Sequence, residues 1–251
     1  MQVDPLERIS ATRKPDATVV MHQNWHHLLF LHWEVPENEL RKFVPPGLDI
    51  DTFEGKAFVS LIPFTVTGTR PLMTPPVPFL SDFHEVNLRT YVHHRGANPG
   101  VWFFSLDASS SIAVTAARTL YHLNYYPAEM SFTATADPYP LVEFHSKRTA
   151  AGTDPANCHL RYGPVESAQT AASPGSLDHF LIERYILYAR SESQLYRARV
   201  HHTPYVLLEP QLDHLEETLI WAAGIKRPDR IPLMHYSPGV SVEIFRPEKV
   251  G

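Results

Sequence analysis

The fold class of this chain is decided by the stretch Glu85-Val86-Asn87-Leu88-Arg89-Thr90-Tyr91-Val92, in which two kinds of side chain alternate. Successive side chains of a β-strand point to opposite faces, so this spacing predicts a strand with two unlike faces. One face carries an acid, an amide, a guanidinium and a phenol, from Glu85, Asn87, Arg89 and Tyr91. The other face is aliphatic apart from one threonine, as expected for the buried side of a sheet.

Two interpretations of this polar face stay open. A half-exposed strand usually hides its apolar face and solvates the polar one, which would make the row structural. Alternatively, the row lines an interior, where burying such groups is costly unless they pair or hold a ligand. In that case Arg89 would offer bidentate donors to a carboxylate. Glu85 would then be an acid or base, or simply the salt-bridge partner of Arg89.

Short strands joined by turns are predicted on both sides of this stretch, because 23 prolines interrupt the chain. Strands are predicted at 25–35, 49–53, 57–64, 83–93, 101–107, 128–136, 141–147, 157–165, 185–190, 195–202 and 240–245. Helices are predicted at 36–43, 109–122 and 177–182, whereas 212–222 is left unassigned. The segments 49–53 and 57–64 are expected to form a hairpin. The sum is an N-terminal arm at 1–20 and one mostly antiparallel β domain at 21–251.

Composition bounds the class of protein. A length of 251 residues is at the upper limit of one β domain, and a net charge of -5 with scattered basic residues argues against nucleic acid as a partner. Cys158 is the one cysteine, which excludes an intramolecular disulfide and fits a reducing compartment. No apolar run is long enough for a signal peptide or a membrane span. We therefore expect a cytoplasmic protein without membrane contact; its oligomeric state stays open, a homo-oligomer included.

Two further arginines are candidates for the same interior. Arg70 heads the proline-rich segment 68–80, which is predicted to be a long loop and could close over a site as a lid. Arg118 interrupts the apolar face of the predicted helix 109–122, and its side chain either extends outward or enters the cavity. The apolar face of that helix consists of Ile112, Ala113, Ala116, Ala117 and Leu120.

Histidines supply a weaker hypothesis. The chain has 15 of them, and His26 and His32 would share a face of a regular strand and could present two ligands to zinc. No HExxH or CxxC frame accompanies them, so we predict no metal site and no cofactor. The nucleophile elbow, the Walker loop and the GxGxxG motif are also absent from the sequence.

Four segments resemble the YqjF-like family, a family of unknown function within the acetoacetate decarboxylase-like superfamily. They are Phe30-Leu31-His32-Trp33, Asn87-Leu88-Arg89-Thr90-Tyr91-Val92, Gly100-Val101-Trp102-Phe103-Phe104-Ser105-Leu106-Asp107 and His235-Tyr236-Ser237-Pro238-Gly239-Val240. The segment 39–51 and the helix 113–120 resemble acetoacetate decarboxylase itself. The resemblance covers residues 20–248 and implies a closed or nearly closed antiparallel barrel with a ligand cavity inside.

The resemblance does not carry the decarboxylase chemistry with it. That enzyme forms a Schiff base through a lysine whose pKa is lowered by a second lysine. Arg118 matches the arginine of its motif, and counting onward places the two lysine positions near Tyr125 and Tyr126. The six lysines of this chain are Lys14, Lys42, Lys56, Lys147, Lys226 and Lys249. Because a tyrosine forms no imine, lysine-dependent decarboxylation is not expected.

Two functions follow as expectations. The first is binding of a small polar or anionic molecule, of the carboxylate type, in the barrel cavity. Its ligand-binding residues would be Arg89, Arg118, Tyr91, Asn87 and Arg70. The alternative is an enzyme that uses Glu85 as acid or base, with Arg89 or Arg118 polarising a keto-acid-like substrate and Tyr125 or Tyr126 donating a proton. A histidine-bound metal enzyme is the weakest alternative.

Overall fold

The computed structural model describes residues 3–71 and 81–251, and strands dominate them, with 52% strand and 14% helix. The strands are β1 (Val19–Val35), β2 (Asp49–Ile50), β3 (Ala57–Pro71), β4 (Phe83–His94), β5 (Ala97–Ala108), β6 (Tyr125–Ala134), β7 (Val142–Arg148), β8 (Asn157–Pro164), β9 (Ile186–Ser191), β10 (Gln194–His201), β11 (Pro210–Glu217), β12 (Leu233–Phe245) and β13 (Glu248–Lys249). The helices are α1 (Pro5–Ala11), α2 (Glu37–Arg41), α3 (Ser111–Tyr121), α4 (Leu177–Ile182) and α5 (Leu219–Ala222). The mostly β class predicted from the sequence is confirmed.

Seven of the described strands close into a ring. Their order is β5-β9-β10-β12-β1-β3-β4, and β4 pairs back onto β5. Neighbours in the ring run antiparallel except β5 and β9, which pair in parallel through Val101 and Leu187. Gly100 permits this contact, because a Cβ at that position would lie 2.5 Å from the carbonyl oxygen of Ile186. The ring closure therefore depends on one close approach of two backbones.

A second group of strands, β6-β7-β8-β11, continues from β5 and is called the outer sheet below. Strand β6 follows α3 and pairs with β5 in parallel, as a helical crossover connection requires. One face of the outer sheet packs on the core through Val142, Phe144, Leu160 and Tyr162, which are fully buried. The opposite face carries polar side chains, in the alternation expected of a sheet with one solvated side.

Helix α3 forms where the sequence predicts it. The Ser110 side chain accepts a hydrogen bond from the Ala113 backbone N–H at 3.2 Å, which satisfies one of the unpaired donors of the first turn. His122, in the left-handed conformation, ends the helix, and its backbone N–H donates to the Ala117 carbonyl. Val114 is the one fully buried residue of α3 and anchors it to the ring.

Strand β1 is irregular at His27, whose φ of 55° is left-handed. The irregularity shifts the alternation, so that Trp25, Leu28 and Phe30 pack in the same core cluster. His26 therefore faces away from His32: the His26 ring bonds Thr67, whereas the buried His32 ring stacks on Phe30. The prediction that these two histidines share a face is wrong, because a regular strand was assumed.

The predicted hairpin between 49–53 and 57–64 is also wrong. Strand β2 pairs with β4, and β3 pairs with β1 and β4. The isolated bridge between Phe53 and Lys56 closes only the turn between the two segments. The reason lies next to β2, where the buried Asp51 donates its backbone N–H to the Tyr91 carbonyl and so continues along β4.

The N-terminal residues contact the ring. Helix α1 begins at an Asp4 cap, and Arg8 within it forms an ion pair with Asp51. Strand β3 extends to Pro71 and therefore includes the first residues of the proline-rich segment 68–80. The remaining residues of the predicted lid, 72–80, lie outside the described residues. The unassigned segment 212–222 divides into the end of β11 and the short helix α5.

None of the helices in the described ranges is long and apolar enough to cross a membrane.

Candidate ligand-binding cavity

A cavity of about 360 Å³ lies inside the ring, lined mainly by apolar side chains. Strands β1, β3, β4, β5, β9, β10 and β12 all contribute to its wall, and helix α3 covers one side. The apolar face predicted for α3 forms that cover, since Ile112, Ala113, Ala116, Ala117 and Leu120 all line the cavity. Ile112 and Leu120 are also exposed to solvent, which places them at the rim of the cavity.

Strand β4 carries the polar groups into this apolar interior. Glu85, Asn87 and Arg89 line the cavity, while Val86 and Leu88 between them are buried in the opposite core cluster. Both faces of β4 are thus covered, and the interpretation of a solvated polar face does not hold for these residues. Their burial gives the row its chemistry, because polar groups removed from water need partners.

Glu85 is 4% exposed and accepts a hydrogen bond from the Tyr125 hydroxyl, with 2.7 Å between the oxygens. Burial raises the pKa of the Glu85 carboxyl to about 7, and the charge of Asp107 adds to the rise. Hydrogen bonds from Tyr125 and Asn87 lower the same pKa, but by less than burial raises it. Glu85 therefore exchanges a proton near neutral pH, which is the range in which an acid or base is most useful.

Tyr125 is the fixed partner of this carboxyl. Burial and the neighbouring charge of Glu85 raise the pKa of the Tyr125 phenol well above its ordinary value. The phenol is therefore protonated at physiological pH and acts as a donor to Glu85. Both groups line the cavity, so a bound molecule would meet them together.

Arg89 lies at the other end of the row and has no carboxylate partner among the described residues. Its Nη2 donates to the Leu181 carbonyl oxygen at 3.3 Å, and its buried Nε has no hydrogen-bond partner. The guanidinium carbon lies 6.0 Å from the centre of the Phe30 ring and 5.8 Å from that of Tyr91. Glu85 and Arg89 are four strand residues, roughly 13 Å, apart along the backbone, and they form no ion pair with each other.

A second cavity arginine, Arg184, was missed in the sequence. Its Nη1 donates to Asp51 at 2.8 Å and its Nε to the Phe180 carbonyl at 2.7 Å, while the buried Nη2 has no partner. Arg184 is completely enclosed, and its charge is balanced by Asp51. The signal in the sequence is the charged pair Glu183-Arg184 within an otherwise apolar run, since unpaired charges are not tolerated at such a position.

The other predicted site residues lie outside the cavity wall. The buried Tyr91 hydroxyl donates to the Leu181 carbonyl at 2.8 Å and contacts Ser60 and His32. Tyr126 faces away from its neighbour Tyr125 and stacks on Arg148, whose guanidinium carbon is 4.2 Å from the ring centre.

The two remaining predicted arginines also lie outside the lining. Arg118 is exposed on the outer side of α3. On β3, Thr69 and Pro71 line the cavity, and Arg70 between them does not.

No lysine contributes to the described cavity wall. The six lysines all belong to the described part of the chain, and every one of them is exposed. Tyr125 and Tyr126 lie near the positions where counting from the decarboxylase motif places the two lysines, and Tyr125 lines the cavity. The described cavity wall thus offers carboxyl, phenol, amide and guanidinium groups, but no amine.

The fold belongs to the class of acetoacetate decarboxylase-like structures. An acetoacetate decarboxylase-like enzyme from Sphingomonas wittichii RW1 aligns with a TM-score of 0.62 at 12% identity, over 94% of this chain and 94% of that chain. The enduracididine biosynthesis enzyme MppR complexed with pyruvate aligns with a TM-score of 0.61 at 12% identity, over 95% of this chain and 93% of that chain. At these identities the likeness shows the fold alone.

Sequence similarity establishes the family. The model of DUF2071, described as "Uncharacterized conserved protein", matches residues 22–241, and this chain belongs to that family. The uncharacterized protein YqjF of Bacillus subtilis (strain 168) is 40% identical over 223 residues, which cover 89% of each chain. The resemblance stated from the sequence segments is therefore confirmed.

Proposed function

We propose that the cavity binds a small organic acid, with its carboxylate on Arg89 and a carbonyl or hydroxyl group near Glu85 and Tyr125. The observation that carries this proposal is the Arg89 guanidinium, which lines an apolar cavity without a carboxylate partner among the described residues. A partly buried guanidinium without a counter-ion is costly, and a bound carboxylate removes that cost with two parallel hydrogen bonds.

The size and lining of the cavity agree with this ligand class. Small-molecule sites are typically about 300–1,000 Å³, mostly apolar, with a few polar groups that fix orientation. The cavity of about 360 Å³ lies at the lower end of that range and favours a short, compact acid. The Asn87 side-chain oxygen is buried without a partner and would accept a hydrogen bond from a hydroxyl or amide of the ligand.

The structural neighbours offer a chemical hint. One of them, the enduracididine biosynthesis enzyme MppR, is described as complexed with pyruvate, which is a short keto acid. Pyruvate combines the two features that the cavity of this chain would recognise, a carboxylate and an adjacent carbonyl. Short 2-oxo acids are therefore the first compounds to test.

The test is thermal stabilisation by a panel of short carboxylic acids, including pyruvate and 2-oxobutanoate, with the matching amides as uncharged controls. The panel is applied to the wild type, to Arg89→Ala and to Arg118→Ala, in which an exposed arginine outside the cavity is removed. We expect the acids to raise the melting temperature of the wild type and of Arg118→Ala but not of Arg89→Ala. Equal shifts in all three proteins, or equal shifts by acids and amides, would contradict the proposal.

A second function, proton transfer on the bound acid, is favoured by the Glu85–Tyr125 pair. A carboxyl whose pKa is about 7 can remove a proton from a carbon next to a carbonyl, and Tyr125 can donate a hydrogen bond to the enolate oxygen that forms. The readout is exchange of the C3 protons of pyruvate for deuterium in heavy water, followed by NMR. Faster exchange with the wild type than with Glu85→Gln supports this function, and equal rates exclude it.

Imine chemistry is not part of either proposal, because every lysine is exposed and none lines the described cavity wall. Borohydride treatment in the presence of pyruvate or acetoacetate should leave the mass of the protein unchanged. A stable adduct on any lysine would contradict this part of the proposal.

A further inference from the structure

The solvated face of the outer sheet carries a cluster of imidazoles and carboxylates that is separate from the cavity. His145, His159 and His214 come from the three neighbouring strands β7, β8 and β11. The ring centres of His145 and His159 are 4.0 Å apart, and those of His159 and His214 are 4.3 Å apart. Glu143 and Glu216 stand two residues from His145 and His214 and therefore on the same face. The cluster is produced by strand pairing and is invisible as a local motif.

Two groups within this cluster have the geometry of a metal site. The ligand atoms of Glu143, His145 and His159 lie within 4.8 Å of one another, and so do those of His159, His214 and Glu216. In a tetrahedral zinc site with bonds of about 2.0–2.2 Å, ligand atoms are separated by roughly 3.3–3.6 Å. The separation between Glu143 Oε1 and His145 Nε2 is 3.4 Å, and that between Glu143 Oε1 and His159 Nε2 is 2.5 Å.

We infer that Glu143, His145 and His159 form a binding site for a divalent transition metal ion, with zinc as the reference ion. Both imidazoles already direct Nε2 at the same carboxylate oxygen, and His145 and His159 are directly opposite in the register of β7 and β8. Entry of the ion requires the His159–Glu143 contact to open by roughly 1 Å, which a side-chain rotation provides. Two imidazoles and one carboxylate are a ligand set suited to zinc, nickel or copper, rather than to magnesium or calcium.

The surroundings allow an ion to enter. The side chains of Glu143, His145 and His159 are 38%, 47% and 33% exposed, so the ligands meet solvent directly. His145 and His159 also line an open groove of about 780 Å³ on the outer sheet. Three protein ligands leave one coordination position, which water or a molecule in the groove would fill.

The alternative group built on His214 and Glu216 shares His159 with the first. In this group, His214 Nε2 lies 3.6 Å from Glu216 Oε2, and the Glu216 side chain is 75% exposed. Ordering so exposed a side chain costs conformational entropy, which favours the group with Glu143. Single-residue variants separate the two groups, because His145 belongs to one and His214 to the other.

The experiment is a calorimetric titration of the metal-free chain with zinc, followed by visible spectroscopy of the cobalt-substituted protein. The variants are His159→Ala, His145→Ala and His214→Ala. His201→Ala is the matched control, since His201 Nδ1 lies 3.5 Å from one carboxylate, that of Glu243, but in neither of these groups. Circular dichroism and metal-free melting temperatures establish that each variant is folded.

We expect one equivalent of zinc to bind the wild type and His201→Ala with the same affinity. His159→Ala and His145→Ala should weaken this binding by about tenfold or more and lose the intense cobalt absorption of a tetrahedral site. Zinc binding that is absent from the wild type, or unchanged in His159→Ala, would overturn the inference. Loss of binding in His214→Ala with retention in His145→Ala would overturn the assignment of Glu143 and His145 as ligands.

Discussion

The cavity wall presents two arginines in opposite situations. In the wall next to α4, Arg184 is enclosed, and its charge is matched by Asp51 and by the Phe180 carbonyl. In the wall formed by β4, Arg89 makes one long hydrogen bond and has no carboxylate partner among the described residues. Each arginine keeps one buried nitrogen without a partner, so the difference between them is the counter-ion. The comparison teaches that burial alone does not identify a binding residue. A charge that the fold satisfies supports stability, whereas a charge that the fold leaves unsatisfied is available for a ligand.

The largest effect is expected when the buried ion pair of Arg184 with Asp51 is removed. Replacing Arg184 by methionine leaves the buried Asp51 carboxylate with Arg8 as its one remaining cationic partner in the described structure. We expect Arg184→Met to lower the free energy of unfolding by about 3–5 kcal/mol, and Arg89→Met to change it by less than about 1 kcal/mol. Urea unfolding of both variants measures the difference. Equal losses would show that Arg89 is also a structural residue.

The next effect concerns the carboxyl at the other end of the β4 row. The folded-state pKa of Glu85 is raised from 4.5 to about 7, so the folded chain retains a proton that the unfolded chain releases between these pH values. The free energy of unfolding therefore falls as the pH rises from about 4.5 to about 7. Above pH 7 the decrease levels off at about 3 kcal/mol.

Glu85→Gln keeps the acceptor for Tyr125 and removes the titration. We expect the variant to be more stable than the wild type at pH 8 by about 3 kcal/mol and nearly equal to it at pH 4.5. Chemical unfolding at several pH values gives the two curves, and their difference cancels the contribution of the other buried acids. Parallel curves would mean that Glu85 titrates at its ordinary value.

A smaller effect connects the two ends of the cavity. Because the carbonyl of the bound acid reaches the Glu85–Tyr125 pair, ionisation of Glu85 places a negative charge roughly 6 Å from the carboxylate on Arg89, which costs about 2–3 kcal/mol at an effective dielectric constant of 20. The affinity for pyruvate should therefore be about tenfold higher at pH 6 than at pH 8 in the wild type. In Glu85→Gln this pH dependence should disappear. Calorimetric titration with pyruvate at the two pH values measures this difference in affinity. An affinity that rises with pH would contradict the placement of the ligand between Arg89 and Glu85.

Much of the fold and part of the site could be predicted from local sequence. The alternation in β4 predicted its two faces, and the serines before α3 predicted its start, because both signals lie within a few residues. The hairpin at 49–53 failed because β2 pairs with β4, where the Asp51 backbone N–H donates to the carbonyl of Tyr91, which is 40 residues later in the chain. The zinc pair proposed for His26 and His32 failed because His27 adopts a left-handed conformation that strand periodicity does not reveal.

Among the site residues, too, local sequence patterns predicted some positions, whereas others depend on contacts between distant parts of the chain. Glu85, Asn87 and Arg89 follow from one strand, whereas the choice of Tyr125 over Tyr126 required knowledge of which side of β6 faces the ring. Arg184 became recognisable once its partner was located in space.

The most direct test of the central proposal is a crystal structure of the chain soaked in pyruvate at a concentration that saturates the thermal shift. We expect the pyruvate carboxylate within hydrogen-bond distance of the Arg89 guanidinium, with its carbonyl oxygen toward the Tyr125 hydroxyl beside Glu85. An Arg89 side chain paired with a protein carboxylate, or a cavity without pyruvate at that concentration, would contradict it.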